Sequence, residues 1–398
     1  MKRRSLLKVA ALSMSTSFAS PNRKPRIAVI GAGAFGGWTA LDLLRNGAQV
    51  TLLDTWGPGN SRASSGGETR IIRATYGPKA QYTQMAARAL ELWKENERRW
   101  NLKLFRRVGV LWMTSADDGF ETASLPLLRA AGIDFQELTA AEASRRFPQI
   151  HFEGVKWCIW ERESGFLTAR RNCHVVLEHF LAEGGEYTEV SVAPGAVHGH
   201  EMSGLALSDG TSFHADHYVF ACGPWLGRLF PEIIGDLARP TRQEVFFFGT
   251  PPGDARYSEG QMPAWIDRGP DHLYYGVPGS EWRGFKAGDD ARGPACDPTS
   301  QERTVLPEGL RMVRSHVEFR FPGLKGAPLV ESRVCQYEQT PDENFIVDQH
   351  PAAANAWLVG GGSGHGYKHG PAVGEVVAQM VLGKKALDPF FGLARFAR

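Results

Sequence analysis

The stretch that decides the fold is Gly31-Ala32-Gly33-Ala34-Phe35-Gly36, a glycine-rich turn near the start of the chain. The apolar residues of Arg26–Ile30 before it predict a β-strand, and those after it predict a helix that ends near Arg45. A second predicted strand, Gln49–Leu53, is followed by Asp54. In such a unit a pyrophosphate approaches the glycines at the positive end of the helix, and an acid about 20 residues on accepts a ribose hydroxyl. The stretch therefore predicts a dinucleotide-binding βαβ unit.

The composition is that of a globular enzyme and excludes several other classes. The chain has 398 residues, of which 42% are hydrophobic and 22% charged, and a formal net charge of +2. No apolar run approaches the roughly 18–20 residues of a membrane-spanning helix, and no long basic run indicates a nucleic-acid partner. The five cysteines are odd in number and form no CxxC pair, so neither a disulfide framework nor a metal site is expected.

The N-terminal residues predict a targeting segment, which we assign to residues 1–24 and exclude from the fold. The run Lys2-Arg3-Arg4-Ser5-Leu6-Leu7-Lys8 is similar to a twin-arginine export signal, and the weakly apolar stretch Val9–Ala19 follows it. That pathway exports folded proteins, so a cofactor can be loaded before export. We therefore expect a periplasmic or otherwise exported protein, with a disordered basic tail on a cytoplasmic protein as the alternative.

A second glycine-rich stretch, Gly360-Gly361-Gly362-Ser363-Gly364-His365-Gly366, lies near the other end of the chain. It follows a predicted strand at Trp357–Val359 and precedes a predicted helix from about Ala372 to Leu382. Glycines at a helix entrance let a planar ring approach, and the positive end of the helix stabilises negative charge. A reduced flavin carries negative charge at one edge of its ring, so the stretch predicts a flavin contact.

The remaining strands favour FAD over NAD as the dinucleotide. Residues Tyr187–Leu207 alternate and contain turn residues, which predicts a small β-meander, and His217–Ala221 predicts a strand that returns to the first sheet. An NAD domain continues instead with further βα units. The strands predicted at Glu244–Phe248, His272–Val277 and Gly284–Ala287 would form a second sheet that faces the substrate.

We therefore expect an α/β fold with two domains. The first is a Rossmann-like FAD-binding domain of the glutathione-reductase type, assembled from residues 25–104, 168–238 and 343–398. The second is an α+β substrate domain on a mostly antiparallel sheet, formed by residues 105–167 and 239–342.

Several further stretches are specific when they occur together and in order. They are Gly67-Glu68-Thr69-Arg70-Ile71-Ile72-Arg73-Ala74-Thr75-Tyr76-Gly77, Tyr274-Tyr275-Gly276, Gly284-Phe285-Lys286, Cys335-Gln336-Tyr337, Thr340-Pro341-Asp342-Glu343-Asn344-Phe345-Ile346-Val347-Asp348 and Gly362-Ser363-Gly364-His365-Gly366-Tyr367-Lys368. With them, the chain after residue 25 resembles the family of monomeric sarcosine oxidase and N-methyltryptophan oxidase. These proteins are flavoprotein amine oxidases of the wider D-amino-acid oxidase fold.

The resemblance implies a role for each matching residue. Cys335 stands where the family attaches FAD through a thioether, and Lys286 where a lysine beside the flavin activates oxygen. Arg73 and Lys368 match the pair that holds the substrate carboxylate. The fingerprint residues Gly31, Gly33, Gly36 and Asp54 are expected to bind the cofactor. Thr69 and Arg70 are expected beside the flavin, and Tyr275 and Tyr337 in the substrate pocket. Gly364, His365 and Lys368 are expected in the loop that contacts the flavin.

The chemistry of amine oxidation fits these residue types. The amine must lose its proton before a hydride leaves the carbon, and positive charge on Arg73 and Lys368 both binds a carboxylate and opposes an ammonium. Reduction of O2 builds negative charge that Lys286 would stabilise. We therefore expect a monomeric FAD-dependent oxidase that converts a secondary amino acid to an imine and O2 to H2O2.

One departure from the family pattern concerns the substrate. Asp290 stands where the family has a histidine a few residues after the active-site lysine, and Ser64-Ser65-Gly66 lacks the family's usual histidines. An anion thus replaces a possible cation near the carboxylate site. A larger or partly cationic N-substituted amino acid is therefore expected as readily as sarcosine.

Three alternatives stay open on the sequence alone. The first is a flavin dehydrogenase that passes electrons to a quinone or a protein, against which Lys286 argues. The second is an NAD(P)-dependent dehydrogenase with the same fingerprint, against which the meander and the late glycine-rich stretch argue. The third is a flavin-binding protein without turnover, against which Arg73, Lys286 and Lys368 argue.

Overall fold

The computed structural model describes residues 23–116 and 118–397, so most of the predicted targeting segment lies outside the described residues. The described chain forms helices α1–α8 at Ala34–Arg45, Ala80–Trp100, Phe120–Ala130, Ala140–Arg146, Ala169–Ala182, Leu226–Leu229, Pro307–Arg320 and Gly370–Val381. Within these two ranges, no helix has the length and apolar character needed to cross a membrane.

Two large sheets contain most of the strands. In chain order, strands β1–β22 of the described residues are Arg26–Ile30, Gln49–Asp54, Arg70–Ile72, Phe105–Arg106, Val110–Thr114, Phe135–Thr139, Trp157–Glu161, Gly165–Leu167, Glu186–Glu189, Val192–Pro194, Val197–His198, Glu201–Met202, Leu205–Leu207, Ser212–Phe213, His217–Phe220, Arg239–Phe248, Ala264–Arg268, Leu273–Val277, Phe285–Asp289, Leu329–Gln339, Ile346–His350 and Ala353–Gly360.

The first sheet has the strand order β21-β22-β15-β1-β2-β9, and only the β21–β22 pair is antiparallel. Its central strand β1 is buried on both faces, as is usual for parallel strands. Val29 packs with α1, α5 and α8, whereas Ile30 packs with the strands that follow β9. Helices α1 and α8 lie close together because Gly374 has no side chain; a Cβ there would lie 2.6 Å from the backbone of Trp38.

One predicted element differs in the structure. The predicted meander begins at Tyr187, but its first residues belong to β9, which pairs in parallel with β2 as the edge strand of the six-stranded sheet. The antiparallel strands begin only at Val192, where β10, β13 and β14 form a small sheet and β11 and β12 a hairpin. An edge strand exposes polar side chains to water, so its alternation is the same as that of a meander strand.

The second sheet has the strand order β20-β16-β19-β18-β17-β5-β7-β6, and only the β17–β5 pair is parallel. The predicted α/β fold class with a mostly antiparallel second sheet is therefore confirmed. Lys286 lies on β19 and Cys335 on β20, and β16 pairs with both strands. The proposed domain boundaries stay a prediction.

Candidate active site

Two adjoining cavities contain most of the predicted site residues. The larger has a volume of about 410 Å³ and lies against the fingerprint turn and the second glycine-rich stretch. The smaller has a volume of about 80 Å³. Both are lined by Arg70, Tyr337, Gly364 and Tyr367. The cavities therefore meet at these four residues.

The fingerprint turn admits only glycine at two of its positions. Gly31 has a φ of +106°, and a Cβ there would lie 2.3 Å from the carbonyl oxygen of Ala221. A Cβ on Gly36 would lie 1.8 Å from the carbonyl oxygen of Gly31. Gly33, the N-cap of α1, brings no side chain between the start of the helix and the larger cavity. The turn thus forms a cradle for an anionic group at the positive end of α1.

Asp54 lines the same cavity at the end of β2. Its Oδ2 accepts a hydrogen bond from the N–H of Ala32 at 2.7 Å, and its Oδ1 accepts one from the N–H of Trp56 at 2.8 Å. Burial raises the pKa of Asp54, and the backbone N–H groups oppose that rise. The carboxylate therefore fixes the fingerprint turn and also presents an acceptor where the ribose contact is predicted.

The second glycine-rich stretch forms another wall of the larger cavity. Gly364 has a φ of +81°, and a Cβ there would lie 2.5 Å from the ring of Tyr337. The stretch leads through a short 3-10 turn into α8, which begins at Gly370. Buried Glu338 also lines this cavity, and its Oε1 has no hydrogen-bond partner among the described residues. A ligand with phosphate groups, hydroxyl groups and a planar ring, such as FAD, fits these walls.

Lys286 is buried and makes its hydrogen bonds with one residue. Its Nζ donates to the carbonyl oxygen of Thr69 at 3.0 Å and to the hydroxyl of Thr69 at 3.2 Å. Burial, aided by the charge of Arg70, lowers the pKa of Lys286 to about 7. The charge of this side chain therefore changes near neutral pH.

Arg70 connects Cys335 to the cavities. Its Nη2 donates to Sγ of Cys335 at 3.3 Å and to the carbonyl oxygen of Ser64 at 2.7 Å. Its Nη1 donates to the carbonyl oxygen of Thr69 at 2.8 Å. Within the described chain, Thr69, Lys286 and Cys335 do not line either cavity. They form one hydrogen-bonded group behind Arg70, which lines both.

Besides Arg70, the basic side chains of Arg73 and Lys368 line the smaller cavity. The guanidinium of Arg73 lies 4.5 Å from the ring centroid of Tyr76 and 4.7 Å from that of Trp112. Nζ of Lys368 donates to the hydroxyl of Tyr76 and to the carbonyl oxygen of His365, both at 2.9 Å. Burial, followed by the charge of Arg73, holds the pKa of Lys368 well below its usual value. An anion in this cavity would pair with Arg73 and favour the charged form of Lys368.

Asp290 and the tyrosines Tyr275 and Tyr337 also line the smaller cavity. Oδ1 of Asp290 accepts a hydrogen bond from the hydroxyl of Tyr337 at 2.9 Å. Burial raises the pKa of Asp290, while the charge of Arg292 opposes the rise. Burial also raises the pKa of Tyr275 to about 12, so its phenol stays protonated at neutral pH. The cavity therefore presents basic groups and a carboxyl group to the same small ligand.

The side chain of His365 lines only the smaller cavity, whereas the neighbouring Gly364 lines both cavities. Its Nδ1 lies 3.2 Å from the hydroxyl of Tyr76, and its Nε2 lies 3.0 Å from the carbonyl oxygen of Glu343. Burial holds the pKa of His365 well below its usual value, so the imidazole is neutral. Gly364 lines both cavities, whereas His365 and Lys368 line the smaller one.

Glu161 is a positioning residue that the sequence did not indicate. Its buried carboxylate accepts hydrogen bonds from the N–H of Ala74, from the N–H and hydroxyl of Thr75, and from the hydroxyl of Ser164, at 2.6–2.9 Å. These bonds hold the segment that carries Arg73. Glu161 lies 87 residues from Ala74, so no local motif connects them.

We expect Glu161→Gln to lower the free energy of unfolding by about 2–4 kcal/mol, because the amide loses acceptors for several buried donors. It should also raise KM for the substrate by displacing Arg73. Denaturant unfolding and steady-state kinetics measure the two effects. The matched control is Glu163→Gln, whose partly exposed carboxylate pairs with Lys94 and Arg107 and should cost about 1 kcal/mol or less. Equal effects of the two changes would contradict the positioning role.

The comparisons with known proteins agree with this geometry. The family model of FAD dependent oxidoreductases, DAO, matches residues 26–380. Monomeric sarcosine oxidase from Bacillus sp. (strain B-0618) is 30% identical over 367 residues, which are 89% of this chain and 92% of that protein. N-methyl-L-tryptophan oxidase from Salmonella dublin is 28% identical over 379 residues, which are 93% of this chain and 98% of that protein.

Among solved structures, L-proline dehydrogenase from P. horikoshii has the same fold, with a TM-score of 0.81 at 21% identity over 94% of this chain and 98% of that chain. The family match excludes the alternative of an NAD(P)-dependent dehydrogenase. The chain belongs to the DAO family of FAD-dependent oxidoreductases, the family that includes monomeric sarcosine oxidase, and its cofactor is FAD.

Proposed function

We propose that this protein oxidises the C–N bond of an N-substituted amino acid to an imine and reduces O2 to H2O2. The observation that carries the proposal is the pair Arg73 and Lys368 in a cavity of about 80 Å³ that adjoins the larger cavity, whose walls fit FAD. A carboxylate bound by this pair keeps a small amino acid close to the residues that both cavities share.

The protein's own contribution is to hold the substrate and to control its protons. FAD, when bound, supplies the acceptor for the hydride that leaves the substrate carbon. Arg73 and Lys368 bind the carboxylate through charge-assisted hydrogen bonds and disfavour a protonated amine beside them. The neutral phenols of Tyr275 and Tyr337 line the cavity without competing for the carboxylate.

The second substrate that Lys286 favours is O2. A buried, preorganised ammonium stabilises negative charge as it develops on oxygen. The alternative is a flavin dehydrogenase that passes electrons to a quinone or a protein. It stays open because burial lowers the pKa of Lys286 to about 7, so only part of the Lys286 side chains carry a charge at neutral pH.

Product stoichiometry tests the proposal and separates the two acceptors. The purified holoenzyme is given N-methylglycine and N-methyl amino acids with neutral, acidic and basic side chains in air. We expect one H2O2 for each molecule of oxidised substrate. Turnover with an artificial dye but without H2O2 would favour the dehydrogenase, and failure of the whole panel with both acceptors would contradict amine oxidation.

We further propose that Asp290 selects the substrate. Its carboxyl group accepts a hydrogen bond from Tyr337 and faces the same cavity as Arg73. A substituent that donates hydrogen bonds or carries positive charge would be stabilised there. The basic members of the panel should therefore have higher kcat/KM values than N-methylglycine.

We propose that FAD is attached covalently through Cys335. Sγ of Cys335 accepts a hydrogen bond from Arg70, and Arg70 lines the larger cavity. The hydrogen bond therefore holds the sulfur directly behind a residue of the cavity wall. A covalent bond would also prevent loss of the cofactor from an exported protein.

Acid precipitation tests the attachment. Wild-type protein should keep its yellow colour in the pellet, whereas Cys335→Ser should release the flavin to the supernatant. The control is Cys222→Ser, which changes a cysteine that lines the same cavity and should leave the flavin in the pellet. Full release from wild type, or retention in Cys335→Ser, would contradict the thioether.

We also propose export through the twin-arginine-like run Lys2–Lys8, which lies outside the described residues. Residues 1–25 fused to a reporter should direct it to the periplasm. Changing Arg3→Lys together with Arg4→Lys should abolish this transport. Unchanged transport of the double variant, measured by cell fractionation, would contradict a twin-arginine signal.

A further inference from the structure

Three side chains that the proposed reaction does not use meet between β17, β18 and α7. Asp267 lies on β17, His272 precedes β18 and His316 lies on α7. Ile266, next to Asp267, lines the smaller cavity, and successive side chains of a strand point to opposite faces. Asp267 therefore points away from the substrate. One carboxylate oxygen and one nitrogen of each ring lie within 4.8 Å of one another.

Each of the three residues has one buried side-chain atom without a hydrogen-bond partner among the described residues. Oδ1 of Asp267, Nε2 of His272 and Nε2 of His316 are buried and have no hydrogen-bond partner among residues 23–116 and 118–397. The side chain of Asp267 is 0% exposed and that of His316 is 10% exposed. Buried polar atoms without partners are rare in native proteins. Three residues with such atoms, which also bring potential ligand atoms within 4.8 Å of one another, indicate a ligand that accepts electron pairs from all three.

Arg320 orients the carboxylate of Asp267 for this role. Its Nε donates to Oδ2 of Asp267 at 2.7 Å, and its Nη1 donates to the carbonyl oxygens of His151 and Glu153. Arg320 therefore engages Oδ2 and leaves Oδ1 unpartnered. Nε2 of His316 lies 3.2 Å from Oδ2 of the same carboxylate. A hydrogen bond to the second oxygen is the usual support of a carboxylate that binds a metal.

We propose that Asp267, His272 and His316 bind a divalent transition-metal ion, of which Zn²⁺ is the representative. Two imidazole nitrogens and one carboxylate oxygen are a ligand set that such ions prefer, at bond lengths of about 2.0–2.2 Å. Tetrahedral bonds of this length place ligand atoms about 3.3 Å apart. Half-exposed His272 lies between two strands, where a small movement closes the set and water can supply the fourth ligand.

This site goes beyond the proposed function and lies outside the expectations of the sequence. The composition gave no metal motif, because the three residues come from separate elements and only the sheet and α7 bring them together. Tyr274, whose neighbour Tyr275 lines the smaller cavity, stacks on His316 with ring centroids 3.9 Å apart. The ion would therefore join α7 to the strand that carries Tyr275 without touching the reacting atoms.

Metal analysis of the flavin-loaded protein tests the site. After incubation with Zn²⁺ and removal of the excess, mass spectrometry should find about one Zn²⁺ per chain. His272→Gln and His316→Gln should each weaken Zn²⁺ binding by about 100-fold or more, since each removes a direct ligand. The control is His198→Gln, which changes an exposed histidine on β11 and should keep full binding. Zn²⁺ should raise Tm in wild type and in the control only.

Two results would overturn the proposal: no stoichiometric Zn²⁺ in wild type, or stoichiometric Zn²⁺ that persists in both ligand variants. His272→Gln changes a half-exposed residue and is expected to fold, which circular dichroism and the bound flavin check. If His316→Gln fails to fold, His272→Gln alone tests the proposal, and stoichiometric Zn²⁺ in that variant would overturn it.

Discussion

Lys286→Met should slow the reaction of the reduced enzyme with O2 by about 10²–10³-fold and change flavin reduction by the substrate much less. Methionine keeps the apolar part of the side chain and removes the charge that would stabilise reduced oxygen. Stopped-flow absorbance measures the two half-reactions separately. Equal slowing of both would contradict the oxygen role of Lys286.

The pH dependence supplies a second signature of Lys286. Its pKa of about 7 lies well below the ordinary value of a lysine, so the cation is present below pH 7 and is lost as the pH rises through about 7. Reoxidation by O2 should therefore be fast on the acidic side and slower on the basic side in wild type. The same step should lose this dependence in Lys286→Met. The control Lys79→Met, at a lysine that pairs with Asn344, should keep it.

Arg73→Met should lower kcat/KM for an N-methyl amino acid by about 10²–10³-fold, because removal of one partner of a buried charge pair costs about 2–5 kcal/mol. The guanidinium lies against Tyr76 and Trp112 and is aimed at the smaller cavity. Most of the loss should be in KM. Arg73→Lys should fall between wild type and Arg73→Met, because lysine lacks the planar pair of donors.

An amine without a carboxylate is the control for Arg73. Its slow turnover in wild type should change less than about threefold in Arg73→Met, since it makes no charge-assisted hydrogen bond to the guanidinium. Arg171→Met, at an exposed arginine, should leave both substrates unaffected. If both substrates lost activity equally in Arg73→Met, the residue would have a structural role instead of a carboxylate-binding one.

The parts of the fold that the sequence predicts are those with a local signal. Strand β1, helix α1 and strand β2 have the predicted positions because an apolar strand, three glycines and an apolar helix follow one another directly. The glycines are also required by close contacts, as at Gly31 and Gly36. Local patterns of this kind are sufficient to identify the FAD-binding half of the fold.

The parts that the sequence misses depend on contacts between distant residues. Strand β9 has polar alternation that fits an edge strand and a meander strand equally well, and only its pairing with β2 distinguishes them. Glu161 and the cluster at Asp267 gain their roles from elements that lie far apart in the chain. The lowered pKa of Lys286 is also missed by the sequence, because it results from burial and no sequence motif indicates how deeply a side chain is buried.

Anaerobic mixing of the oxidised holoenzyme with N-methyl amino acids tests the central claim most directly. The expected result is loss of the flavin absorbance with at least one N-methyl amino acid and little change with the corresponding amine that lacks a carboxylate. This outcome would establish the amine-to-flavin step and the requirement for a substrate carboxylate, which we assign to Arg73 and Lys368. A bound flavin that no N-substituted or cyclic secondary amino acid reduces would contradict the proposed function.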